Sequence, residues 1–365
     1  MSNAFLHIAS PGIASIQPYK PGKPVSELER ELGICNSIKL ASNENPIAVS
    51  RRVKDVLQSE FAELARYPDG AGFALREALA NRHGVTSKQI TIGNGSNDVL
   101  DMIARVFLSP DFQSVFSQHA FAVYPIASMS VGADLVAVPA VEFGHDLHAM
   151  LNAITDKTRV VWIANPNNPT GTWLNEAELM HFVEQVPSDV IIVIDEAYSE
   201  YVRLDDYPDA TQWITRFSNV IVTRTFSKAF GLAALRVGYC VSHPDVADLL
   251  NRVRQPFNVN SFAQAGALAA LDDAEYLAES IRVNDEGLLQ LSKGLDDLGL
   301  TYIPSVGNFI SVNVDRSVAE VDRALLMEGV ITRPVENYGL QHHLRISVGL
   351  QDENARALTA LEKIL

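Results

Sequence analysis

Lys228 stands eight residues before Arg236 in the stretch TFSKAFGLAALRVGY (225–239), with Thr225 and Ser227 just ahead of it. An amine able to bond an aldehyde, two hydroxyls and a guanidinium therefore share one short segment. Alone, this fits a solvated lysine and arginine equally well. Four other stretches bear on the choice. GNGSND (93–98) has the glycines and small polar residues of an anion-binding turn at a helix start, where N–H groups converge and glycine lets a phosphate approach. The bland alternative is a plain turn. NPNNPTG (165–171) holds amide side chains, Asn168 among them, in a turn stiffened by two prolines. DEAY (195–198) sets Asp195 at the end of an apolar run, where a buried carboxylate needs a partner, and Tyr198 follows three residues on. A helix cap is the structural alternative for Asp195. Phe121 offers either core packing or a flat stacking face.

These residues need a frame. From about residue 50 to 256, β-branched runs at 89–93, 114–118, 159–164, 190–195 and 219–225 alternate with helical stretches expected at 97–107, 146–154, 175–186 and 244–254. In the first helix Val99, Leu100, Ile103, Val106 and Phe107 recur at helical spacing. Such alternation predicts an α/β fold, a mainly parallel sheet flanked by helices on both faces. The last third predicts a smaller α+β unit, with helices at 261–271, 274–298 and 317–328 and strands at 308–314 and 343–349. Residues 1–45, with PYKPGKP, read as an extended arm that partly joins this unit. The expected division is thus an arm at 1–45, a large domain at 46–256 and a small domain at 257–365.

In an open parallel sheet, ligands bind beyond the carboxyl ends of the strands. Each chemistry-bearing stretch follows a predicted strand. Five successive strand ends then present phosphate-binding amides, an aromatic face, an amide, a buried acid with a tyrosine, and a lysine with an arginine. A cofactor with a phosphate, a flat ring, a ring cation and an aldehyde accounts for all of them together, and pyridoxal 5′-phosphate (PLP) has those parts.

Composition removes other classes. The 365 residues are 47% hydrophobic and 20% charged, with a net charge of −15. An acidic chain without basic clusters does not suit nucleic acid or anionic membranes. No apolar run reaches the ~20 residues of a membrane span, and the N-terminus lacks the pattern of a signal peptide. Cys35 and Cys240 make no disulfide framework. A cytoplasmic enzyme is expected. HDLH (145–148) and His342-His343 lack a further spaced ligand set, so no metal site is expected.

The set GNGSND, NPNNPTG, DEAY and TFSKAFGLAALRVGY, in this order and spacing, resembles the fold-type-I PLP aminotransferases. YKPGKPVSELERELG, KLASNENP, RYPDG, TRPVENYGL and LRISVG narrow the resemblance to the histidinol-phosphate aminotransferase branch, over essentially the whole chain. The resemblance implies a ping-pong transaminase working through a Lys228 aldimine, an amino donor with 2-oxoglutarate as acceptor, and a homodimer with shared active sites. It implies that Asp195 holds the ring nitrogen, that Tyr198 and Asn168 meet the ring hydroxyl oxygen, and that Phe121 stacks on the ring. Gly95, Ser96, Thr225, Ser227 and Arg236 match the phosphate cradle, and Tyr67 the tyrosine that reaches the neighbouring subunit's phosphate. Arg345 and Arg333 match the clamp on the substrate's anionic end, and Tyr19 and Asn43 groups that close over the site. One departure stands out: the chain reads SNENPIAVSRR where the family usually continues with a Gly-Pro-Ser-like turn. An aromatic-amino-acid aminotransferase is the alternative, because an apolar pocket discriminates weakly between flat rings. A threonine-phosphate decarboxylase and a non-catalytic PLP-binding regulator are more remote.

Overall fold

The computed structural model describes residues 5–10, 12–18 and 22–365. Among them, seven strands form the main sheet: β2 (Ile90–Gly93), β3 (Gln113–Ser117), β4 (Asp134–Val138), β5 (Thr158–Ala164), β6 (Ile191–Asp195), β7 (Val220–Thr225) and β8 (Gly238–Ser242). A short β1 (Ile38–Lys39) precedes them in the chain. The order is β2-β8-β7-β6-β5-β3-β4, and all strands run parallel except β8, which is antiparallel to both neighbours. Both faces are covered. Val161, Ile163, Ile192 and Ile194 enter one core, and Val160, Trp162, Ile191 and Val193 enter the other. That is why the central strands read as unbroken apolar runs.

The helices in chain order are α1 (Val25–Leu32), α2 (Arg51–Glu60), α3 (Phe73–His83), α4 (Ser96–Phe107), α5 (Val123–Ser130), α6 (Leu147–Asn152), α7 (Glu176–Gln185), α8 (Pro244–Val253), α9 (Ser261–Leu271), α10 (Ala274–Asp297), α11 (Val318–Met327) and α12 (Gln351–Ile364). The four helices expected between the strands are α4, α6, α7 and α8. The fold class is the expected one: a mainly parallel sheet flanked by helices, with a second, antiparallel sheet in the last third. That sheet has the order β12-β13-β10-β9, from β9 (Tyr302–Ile303), β10 (Phe309–Asn313), β12 (Arg333–Pro334) and β13 (His343–Ser347). It has its own core of Leu291, Leu295, Ile310, Val312, Leu344 and Ile346.

One expectation changes. Residues 1–45 are not simply extended. The Pro-rich stretch ends at Pro24, and VSELEREL then forms α1, which buries Leu28 and stops at Gly33 in the left-handed region (φ 67). Beyond it, β1 pairs in parallel with β11 (Val330–Ile331). α9 lies against α2 and buries Ala263, Ala267 and Ala270 in the core of the main sheet.

Candidate active site

The strand ends meet at a cavity of about 190 Å³ that Lys228, Asp195, Tyr198, Asn168, Arg236 and Arg345 all line. At one end, β2 turns through Gly95 into α4. Gly95 has φ 82, open to glycine, and a Cβ there would collide with the Arg236 guanidinium. The helix N-terminus and the arginine thus converge on one spot. Arg236, itself left-handed at φ 57, donates Nη1 to Ser227 Oγ at 3.4 Å and to the Ala233 carbonyl at 3.2 Å. Thr225 Oγ1 accepts the Ser227 N–H at 3.1 Å. Ser96, Thr225 and Ser227 line the cavity beside Arg236. Four hydroxyl, guanidinium and helix-terminal groups at one point form an anion cradle.

Asp195 ends β6, next to Thr223 of β7 in register. Its carboxylate accepts from Tyr124 Oη at 2.8 Å and from Thr223 Oγ1 at 2.9 Å. Burial raises its proton affinity, opposed by those two hydroxyls, the Ala197 N–H and Lys228. Glu196, on the opposite side of the strand, is fully buried. It takes two bonds from Arg224, whose Nη2 also reaches Asp209 at 2.9 Å. That network fastens the ends of β6 and β7 to the segment below them.

Lys228 Nζ donates to the carbonyls of Ser42 and Asn43, both at 3.2 Å, and lies 5.5 Å from the Tyr198 ring centroid. Burial, then Arg345, pull the amine down to about 7, while Glu44 opposes them. Asn43 holds this corner. It is left-handed (φ 52), a conformation asparagine tolerates. It donates Nδ2 to Tyr198 Oη at 2.9 Å, and its backbone N–H bonds Ser347 Oγ at 2.8 Å. Burial pushes the Tyr198 hydroxyl up to about 12, so it keeps its proton at neutral pH. Phe121 lines the cavity wall and meets Tyr124 edge-on at 5.8 Å.

The antiparallel sheet closes the other side. Arg345 on β13 has Ser311 of β10 and Arg333 of β12 as cross-strand partners, and such partners point to one face. Ser311 Oγ donates to the Pro169 carbonyl at 2.6 Å, and Arg345 Nη1 bonds Asn168 Oδ1. Arg345 Nη2 donates to the Ala41 carbonyl at 2.8 Å. The NPNNPTG turn is thereby fixed between the two sheets.

The family model for class I and II aminotransferases matches residues 36–361. The chain belongs to that family. This aminotransferase is 57% identical over its whole length to histidinol-phosphate aminotransferase 2 of Pseudomonas fluorescens, covering 99% of that protein. It is 56% identical to the same-named protein of Pseudomonas aeruginosa, across 99% of this chain and 98% of that one. Among solved structures, histidinol-phosphate aminotransferase from Sinorhizobium meliloti in complex with pyridoxal 5′-phosphate superposes with a TM-score of 0.88 at 28% identity, covering 97% of this chain and 96% of that one. The fold is that of the fold-type-I PLP enzymes, and the protein is a PLP-dependent aminotransferase.

The aminotransferase's own residues fit the cofactor. The Gly95–Arg236 cradle suits a phosphate, Lys228 supplies an amine with a lowered proton affinity, and Asp195 supplies a buried acid, all on one cavity. Most of the sequence-expected residues gather there. Three stand elsewhere. Gly95 lies behind Ser96 and shapes the turn. Tyr67 is 81% exposed and stacks on Phe257 at 4.6 Å, away from its own chain's cavity. Arg333 lines a neighbouring cavity of about 690 Å³, together with Gln17, Pro18 and Tyr338. Tyr19 falls outside the described residues. HDLH does other work: His145 Nε2 accepts the Ala164 N–H at 3.3 Å, and burial pulls it down to about 4. Sequence reasoning missed Tyr124, Thr223, Ser42 and Asn97, which line the cavity or touch its groups. A signal for one of them was present: Thr223 shares a strand face with Thr225.

Proposed function

We propose that this aminotransferase moves the amino group of histidinol phosphate to 2-oxoglutarate, as a homodimer in the cytoplasm. The observation that carries the substrate choice is Arg345, a buried guanidinium on the Lys228 cavity with a second arginine, Arg333, directly across the strand pair. A phosphate monoester carries nearly two negative charges at neutral pH and a carboxylate one. Paired cations therefore favour the phosphate-bearing donor. The names of the Pseudomonas relatives support the same choice.

When bound, PLP supplies an electron sink for the carbon that loses its proton. In this reading the chain's residues do the rest. Ser96, Thr225, Ser227 and Arg236 hold the phosphate, with Gly95 leaving room. Asp195 holds the ring nitrogen's proton. Phe121 covers one ring face. Asn168 gives its amide oxygen to Arg345, which leaves its amide nitrogen to meet the ring hydroxyl oxygen beside Tyr198. Lys228 Nζ would hold the cofactor at its aldehyde carbon, with loss of water, and as a free amine would carry the proton. Asn43, on the cavity wall, closes over the substrate. A large unit carrying Lys228 and a small one carrying Arg345 would divide after α9.

Tyr67 supports the dimer. In the same stretch of chain Phe61, Leu64 and Phe73 are each more than 60% exposed. A second copy covering these residues would bring Tyr67 to the partner's phosphate site.

The test is turnover of histidinol phosphate, phenylalanine and tyrosine with 2-oxoglutarate, in wild type and Arg333→Ala. Histidinol phosphate is expected to have the highest kcat/KM, and Arg333→Ala to lower it by about tenfold or more. Phenylalanine should lose clearly less, because its single carboxylate still has Arg345. A wild type that prefers phenylalanine, or an equal loss for both donors, contradicts the proposal and favours the aromatic reading.

A further inference from the structure

The hydroxyl of Tyr124 ends 2.8 Å from Asp195 Oδ2, and Thr223 Oγ1 ends 2.9 Å from Oδ1. Asp195 is 5% exposed. A carboxylate that dry takes up a proton unless donors hold its charge. Tyr124 is suited to be such a donor. Burial and the adjacent carboxylate keep its own hydroxyl well above the usual tyrosine range, so it stays protonated. Its ring is fully buried and stacked on Trp162 of β5, with centroids 5.3 Å apart and planes within 4°. Rotation of the donor away from Asp195 would break that stack. Thr223 is fixed differently, as the strand neighbour of Asp195. Two donors on two elements, α5 and β7, therefore grip both carboxylate oxygens. Both are neutral. A cation in place of Tyr124 would neutralise Asp195, whereas a phenol leaves the full negative charge available.

We propose that Tyr124 is a positioning residue that acts through Asp195: with Thr223 it keeps the carboxylate ionised and turned so that its remaining lone pairs face the cavity. The other groups facing Asp195 are the Ala197 N–H, Lys228 and Tyr198. None of them locks the carboxylate plane as the two hydroxyls do. The inference rests on the reading of Asp195 as the partner of the cofactor's ring nitrogen.

A double-mutant cycle tests it. The dissociation constant of PLP is measured by equilibrium dialysis for wild type, Tyr124→Phe, Asp195→Asn and the double variant, together with kcat and KM. Phenylalanine keeps the stack on Trp162 and removes only the donor. Tyr124→Phe is expected to weaken cofactor binding about tenfold and to lower kcat, with the donor KM near wild type. In the Asp195→Asn background the same change should matter less than about twofold, because no charge is left to hold. An equal loss in both backgrounds means that Tyr124 acts through packing and overturns the proposal. So does wild-type binding by Tyr124→Phe. If that variant does not fold, Thr223→Val enters the same cycle with the same expectations. If Asp195→Asn binds PLP and turns over as wild type does, the reading of Asp195 fails and the inference falls with it. The two failures are thus told apart.

Discussion

Lys228 is useful because it is an uncharged amine for much of the time near neutral pH. An ordinary lysine titrates near 10.4 and is almost wholly protonated at pH 7. Here burial and the Arg345 charge bring the amine down to about 7. The sign follows. Below pH 7 the folded protein holds Lys228 as an ammonium, which cannot attack an aldehyde. Above pH 7 the free amine dominates. Capture of PLP by cofactor-free protein, followed by the visible absorption of the bound cofactor, should therefore speed up about tenfold per pH unit below 7 and level off above it. A rate still climbing steeply through pH 9 would mean that Lys228 is an ordinary lysine. Arg345 then has two duties in the account, lowering the amine and meeting the substrate's anion. Its short path to Asn168 ties both to the NPNNPTG turn.

The elements differ in how plainly the sequence announces them. β5, β6 and β7 lie inside the sheet with both faces buried, so each is a continuous β-branched run ending at a chemistry-bearing residue. These were legible, and with them the placement of Asn168, Asp195, Tyr198 and Lys228. β4 was not. It is an edge strand, mostly half-buried or exposed, and DLVAV is a short apolar run whose burial does not match its composition. β8 was hidden for another reason. GYCVS follows the Arg236 turn directly and runs antiparallel, which the alternation of strand and helix does not foretell. α5 carries Pro125 and two serines, so its helical signal is poor, and Tyr124 was lost with it. α1 and α2 bury only Leu28 and Val53, yet Val25, Leu28 and Leu32 in one and Val53, Val56 and Leu57 in the other recur at helical spacing, a signal that was there to read. Pairings such as Arg345 with Asn168, 177 residues apart, depend on how the two sheets meet and have no local signature.

At the scale of the whole molecule, Tyr67 is an expected site residue that its own chain leaves exposed and outside the cavity. The proposed homodimer gives it a place. Mixing Lys228→Ala with Tyr67→Phe protein and allowing subunits to exchange should restore one intact site per heterodimer. Activity well above both parents is expected. Recovery of nothing beyond the parents would mean that Tyr67 serves its own chain or no site. Among the described residues, no helix is long and apolar enough to cross a membrane.

The central claim is that this chain carries its cofactor on Lys228, and borohydride reduction of the holoenzyme followed by tryptic peptide mapping tests it most directly. Arg224 precedes the site and Arg236 ends it, and trypsin does not cut at a modified lysine. The reduced cofactor should therefore appear on the uncut peptide TFSKAFGLAALR, residues 225–236. A label on any other lysine, or a peptide cleaved normally after Lys228 in fully loaded enzyme, would contradict the account.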